Sequence, residues 1–204
     1  MNSSNTTQVI EGTDTGVEGN ARLTGFVAAL LFILLAVEGI TVPQVHSLLT
    51  LHIFVGMVLL PLALLKTVST GYRFARYYLG DDAYVRKGAP PVLLRLAGPF
   101  VVLLTVAVLG TGIAVAVAGR GGHLLLLHKA SFIMWFGVMT VHVLGHLTET
   151  LPLAIADWRR STRRAVPAAG LRVSLVLATL GVGLLLGLAT LNWTHTFHHK
   201  HGFG

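Results

Sequence analysis

Five apolar stretches, each close to the length of a membrane-crossing helix, dominate this chain. They run over residues 23–40, 46–69, 92–118, 124–147 and 171–191. The hydrocarbon core of a bilayer is about 30 Å thick, and about 20 helical residues cross it. Backbone amides in that layer must be satisfied internally, which favours helices. The chain therefore reads as all-α, an integral membrane bundle with five transmembrane helices. With 53% hydrophobic and only 11% charged residues, a soluble globular protein is excluded.

The organisation is simple. Residues 1–22 are rich in Ser, Thr, Gly and acids, and are expected to be a disordered cytoplasmic tail. The opening lacks the basic-then-apolar pattern of a secretory signal, so none is expected. Residues 23–191 form the bundle, and 192–204 a His-rich extracytoplasmic tail. Gly39 and Pro43 break the first connection, Gly119 to Gly122 the third, and Pro152 and Pro167 bound the fourth. Pro61 predicts a kink within the second span, which is expected to continue as a helix to Tyr78. Lys66, Arg73, Arg76, Arg86, Lys87 and Arg95 lie between spans two and three. Arg159, Arg160, Arg163, Arg164 and Arg172 lie between spans four and five, and Arg22 precedes span one. Arg120, Lys129 and Lys200 fall on the other side. The positive-inside rule then expects a multi-pass protein of the cell membrane, with a cytoplasmic N-terminus and an extracytoplasmic C-terminus. The net charge of +7 reflects orientation and contact with membrane lipids, and no nucleic-acid partner is expected.

There are no cysteines, which excludes thiolate zinc sites, iron–sulfur ligation and covalent haem attachment. Ten histidines remain as ligand candidates. His52 lies a few residues inside the outer end of span two, and His128 lies at a similar depth in span four. Ionisable groups inside a span are costly and mark function. Two imidazoles at one depth on separate helices can ligate one haem iron, as a low-spin electron carrier. The bland alternative is two hydrogen-bonded histidines at helix ends.

His142 lies fourteen residues after His128. That spacing is about 21 Å along a helix and within about 40° of the same face, so a second iron could sit at the inner level. His146, one turn on, can reach a propionate or quinone, or simply mark the interface. Fourteen residues after His52 stands Lys66. It could ligate iron only as the neutral amine; otherwise it snorkels or pairs with a propionate. Arg73 and Arg76 share a helix face and suit propionates, lipid headgroups or an acidic partner. Gly56 and Gly137 would let helices or a flat macrocycle approach closely. Phe132, Trp135 and Phe136 read as core or lipid-facing aromatics. Glu38, at the outer end of span one, is an interfacial carboxylate or a proton relay.

Span two reads L-H-I-F-V-G, and span four L-H-K-A-S-F-I-M-W-F-G-V-M-T-V-H. Together they resemble the membrane cytochrome b superfamily over about residues 46–191. That group includes the cytochrome b subunits of nickel–iron hydrogenases and formate dehydrogenases, and the ferric-reductase-like membrane domains. The resemblance implies that four of the helices form a haem-binding core holding one or two haem b groups. It also implies electrons exchanged between quinone or quinol and a redox partner protein. His52, His128 and His142 match the pattern as iron ligands; Lys66 stands where such proteins often carry a fourth histidine.

The C-terminus carries His195, His198, His199 and His201, which with His46 and His123 could form an external metal site. The competing reading is a haem-free membrane metal-binding or transport protein using these outer histidines; another is a membrane anchor subunit. With no domain for flavin or nicotinamide, the chain reads as an electron-transfer subunit of an oxidoreductase and not as a complete enzyme.

Overall fold

The computed structural model describes residues 14–118, 123–191 and 193, with only the backbone of Arg160 and Ser161. Over these residues the chain is helical: α1 (Thr15–Thr41), α2 (Val45–Tyr78), α3 (Asp82–Lys87), α4 (Val92–Ala118), α5 (Leu124–Ile155), α6 (Arg160–Arg163) and α7 (Ala169–Ala189). Five of them, all but α3 and α6, are long and apolar enough to cross a membrane.

Helix α1 starts at Thr15, inside the stretch expected to be a tail. Asp14 explains the start: its carboxylate accepts from the amides of Gly16 (2.9 Å) and Val17 (3.2 Å), capping the first turn. Its polar first turns are also used inside the protein. Asn20 Nδ2 donates to the Ser69 carbonyl at 3.2 Å, and Arg22 is 5% exposed. The expectation of a disordered 1–22 is thus corrected for residues 15–22. Residues 1–13, Gly119 to Gly122 with Arg120, and 194–204 with the tail histidines lie outside the described residues.

Helix α2 runs past the bilayer length to Tyr78. Its non-helical dihedrals fall at Leu48 (φ −110°, ψ 20°) and not at Pro61, so the irregularity lies three residues into the helix. At its far end Asp81 receives Arg76 and caps α3 through the amides of Ala83 and Tyr84. Arg76 is therefore committed to the α2–α3 turn.

The centre of the bundle is α1–α2–α7. Val27, Leu62 and Val176, all at 0% exposure, meet there, flanked by Phe26, Leu30 and Leu180. Helix α7 lies close on α2 because it presents glycine. A Cβ at Gly183 would stand 2.8 Å from the Val58 carbonyl oxygen, and one at Gly187 2.7 Å from the Phe54 ring. Gly25 does the same for α1 against α5, where a Cβ would meet Leu153 at 2.5 Å. Helix α4 packs mainly on α5. The indole of Trp135 is tied to it by a 2.9 Å bond to Thr105 Oγ1.

Candidate functional site

His52 and His128 meet. They come from α2 and α5, which are not principal packing partners of each other, yet their ring centroids are 6.3 Å apart at an interplanar angle of 74°. Two in-line metal–imidazole bonds of about 2 Å separate the ligating nitrogens by about 4 Å and the ring centroids by about 6 Å. The planes need only contain the metal–nitrogen axis, so 74° is an available angle.

The hydrogen bonds determine the tautomers. His128 Nδ1 lies 3.1 Å from the Val108 carbonyl oxygen, which can only accept. Nδ1 therefore carries the proton, and Nε2 keeps its lone pair. Thr111 Oγ1 is 3.2 Å from the same nitrogen and 3.2 Å from Ser131 Oγ. His52 is held alike. The Thr41 hydroxyl donates to the Glu38 carbonyl (2.6 Å), so His52 Nδ1–H donates to Thr41 Oγ1 at 2.8 Å, with Glu38 Oε1 3.1 Å from the same nitrogen. Among the described residues neither Nε2 has a protein partner. Fixing a ring through one nitrogen and freeing the other is how proteins orient metal-binding histidines.

Glycine shapes this end too, though at a different position from those expected. Gly112 lets His128 lie against α4; a Cβ there would come within 3.1 Å of its Cε1. Gly56 adjoins Glu38, with 3.7 Å between an added Cβ and Oε1, whereas Gly137 has nothing within 4 Å. The aromatics Phe132 and Trp135 stack with centroids 6.3 Å apart on α5.

The opposite end is organised differently. His142 and His146 sit one turn apart on α5 with centroids 4.9 Å apart, and no imidazole from another helix among the described residues faces them. His142 Nδ1 is buried without a hydrogen-bond partner among the described residues, so its ring is not fixed through Nδ1 as those of His52 and His128 are. His146 Nδ1 is 3.8 Å from Glu149 Oε2. Lys66 is partly buried, and its ammonium donates to the Thr24 carbonyl at 3.0 Å, beside the Asn20–Thr24–Ser69 cluster. Arg73 is half-buried, near enough to act electrostatically on Lys66 and His146. Among the described residues no group of three or more His, Asp or Glu could by itself hold a metal ion. A macrocycle that brings four nitrogens of its own asks the protein for only two.

Beyond these lies a centre not anticipated. Asp157, just past α5, accepts from Arg172 Nε (2.6 Å) and Nη2 (2.7 Å) and from Arg22 Nη1 (3.2 Å). Burial pushes its carboxyl up, but the bonds from Arg172 and Arg22 outweigh this and hold it below the usual carboxylate value. Arg22 also bonds Glu18 (3.1 Å) and the Thr162 carbonyl (3.0 Å). Two arginines counted as topogenic are thus the clamps that join α1, α5 and α7.

The described residues define a helical bundle with five helices able to cross a membrane and a facing pair of singly anchored imidazoles. Compared with known protein families, with curated proteins and with solved structures, the chain finds no match in any of the three.

Proposed function

We propose that this chain is a b-type cytochrome, a membrane subunit that passes single electrons between the quinone pool and a redox partner protein. The observation that carries the reading is the His52–His128 pair, 6.3 Å apart with both Nδ1 atoms engaged and both Nε2 atoms unpartnered. Bound between them, haem b supplies one-electron oxidation and reduction. Thr41 and Glu38 orient one ring, and Val108 and Thr111 the other, so the ligands are set before the cofactor arrives. Gly112 leaves room beside His128. The pair accounts for one haem. At the other end, about 21 Å further along the helices, Lys66, Arg73, His142 and His146 offer polar groups to a quinone oxygen. The basic loops favour an arrangement in the cell membrane with the N-terminus in the cytoplasm and the C-terminus outside.

The test is the visible spectrum of the purified protein, oxidised and dithionite-reduced, with pyridine haemochrome quantitation. One haem b per chain is expected, lost in His52→Ala and in His128→Ala and kept in His142→Ala. A colourless protein after expression with ample haem overturns the reading. Full haem in both outer variants overturns the ligand assignment.

A further inference from the structure

We propose that the corner between α6 and α7 is a binding site for the phosphate of an anionic phospholipid. A cavity of about 740 Å³ opens there, lined by Arg163, Arg164, Val166 and the first residues of α7. Both arginines are exposed, and neither has a carboxylate partner among the described residues. Among the described residues, the acids that bind this loop are already taken. Asp157 is held by Arg22 and Arg172, and Glu18 by Arg22 with Lys87 at 3.9 Å. Arg22 and Arg172 thus fasten the loop, while Arg163 and Arg164 have no carboxylate partner among the described residues.

Depth selects the partner. Helix α7 has 21 residues, about 31 Å of helix, which matches a hydrocarbon core of about 30 Å with nothing to spare. If α7 crosses the bilayer, its first residues stand at the headgroup layer, and the two guanidiniums just before them stand at phosphate height. Trp158, 57% exposed and edge-on to Phe26 at 5.8 Å, supplies an interfacial aromatic on the same loop. Guanidinium pairs phosphate through parallel N–H bonds, the geometry of a headgroup contact.

The corner is also preformed. Arg172 Nη1 donates to the Pro167 carbonyl (2.7 Å), Arg22 to that of Thr162, and the Thr162 hydroxyl to that of Ala156 (2.5 Å). A loop ordered in advance loses little freedom when a headgroup arrives. The site stands independently of the haem reading.

The experiment is native mass spectrometry of the full chain from nanodiscs of phosphatidylcholine alone and of phosphatidylcholine mixed with phosphatidylglycerol. The wild type is expected to retain phosphatidylglycerol in preference. Each basic residue at an anionic surface contributes about fivefold, so R163Q/R164Q is expected to reduce the preference about 25-fold. R163K/R164K, which keeps both charges but loses the parallel N–H pairs, is expected to retain part of it; helical circular dichroism checks folding of every variant. Equal retention of the two lipids, or a preference untouched by R163Q/R164Q, overturns the proposal. So does displacement of phosphatidylglycerol by millimolar inorganic phosphate, which would mark a free-phosphate site. Binding of polyglutamate through the same arginines, without lipid preference, would reassign the corner to an acidic protein.

Discussion

Replacing Asp157 by Asn should detach the α5–α7 loop from α1. The carboxylate is 7% exposed and faces two guanidiniums with side chains 6% and 11% exposed, so all three charges are withdrawn from water. The substitution keeps the shape and removes the only acid between Arg22 and Arg172. Two like charges then remain buried together with one weak acceptor. Removing one partner of such a buried pair costs about 3–5 kcal/mol. Glu18 retains one bond to Arg22, which favours the lower figure. At about 3 kcal/mol, a chain of this length loses about 6–12 °C in melting midpoint. The assay is thermal unfolding in detergent followed by tryptophan emission, since Trp158 lies one residue away against Phe26. The pH dependence gives the sign. Asp157 is depressed in the folded state, so its contribution is fully present above the unfolded value near 3.8 and fades as pH falls through the folded one. Wild type and variant should therefore differ fully at pH 7 and converge only on acidification well below pH 4. A difference under about 2 °C at pH 7 would refute the reasoning, as would a full difference surviving at the acid end.

Three further outcomes are expected. Gly183→Ala places a methyl 2.8 Å from the Val58 carbonyl and should destabilise by about 1–3 kcal/mol, while Gly39→Ala, with nothing within 4 Å, should not; paired melts read both. On the proposed cytochrome reading, Thr41→Val removes the acceptor of His52 Nδ1–H, so haem retention during dialysis should weaken about 10- to 100-fold. Lys66→Met removes the bond to the Thr24 carbonyl, lies outside the His52–His128 pair, and should leave the haem-to-protein ratio unchanged; loss of the reduced bands would bring Lys66 into the ligand set.

The spans were legible because length and apolarity act locally: any run near 20 residues without charge gives the signal by itself. Span ends were less so. Helix α1 begins eight residues before the expected boundary, since Glu18, Asn20 and Arg22 look like tail residues until Ser69 and Asp157 are seen beside them. The same applies to the site. His52 and His128 could be matched by depth, a coordinate that a membrane imposes on every helix at once. Asp157 could not, because its partners lie 135 and 15 residues away and a lone acid in an arginine-rich loop carries no local pattern. Gly112 was hidden likewise: its role comes from the ring of His128 on the neighbouring helix. Gly137, which looked useful by sequence position, turned out to face open space.

The closing of the core by α7 sets an order of assembly. Translation runs from the N-terminus, so His52, His128 and all their Nδ1 acceptors exist in the nascent chain before Val176, which is 48 residues beyond His128. At about 5–20 residues per second that interval is about 2–10 s. Through it, Phe54, Val58 and Leu62 of α2 still lack the helix that covers them. A nascent chain stalled after α5 should therefore already bring both imidazoles together while its central groove stands open. Maturation of the histidine pair and consolidation of the bundle are in this way separable events in time.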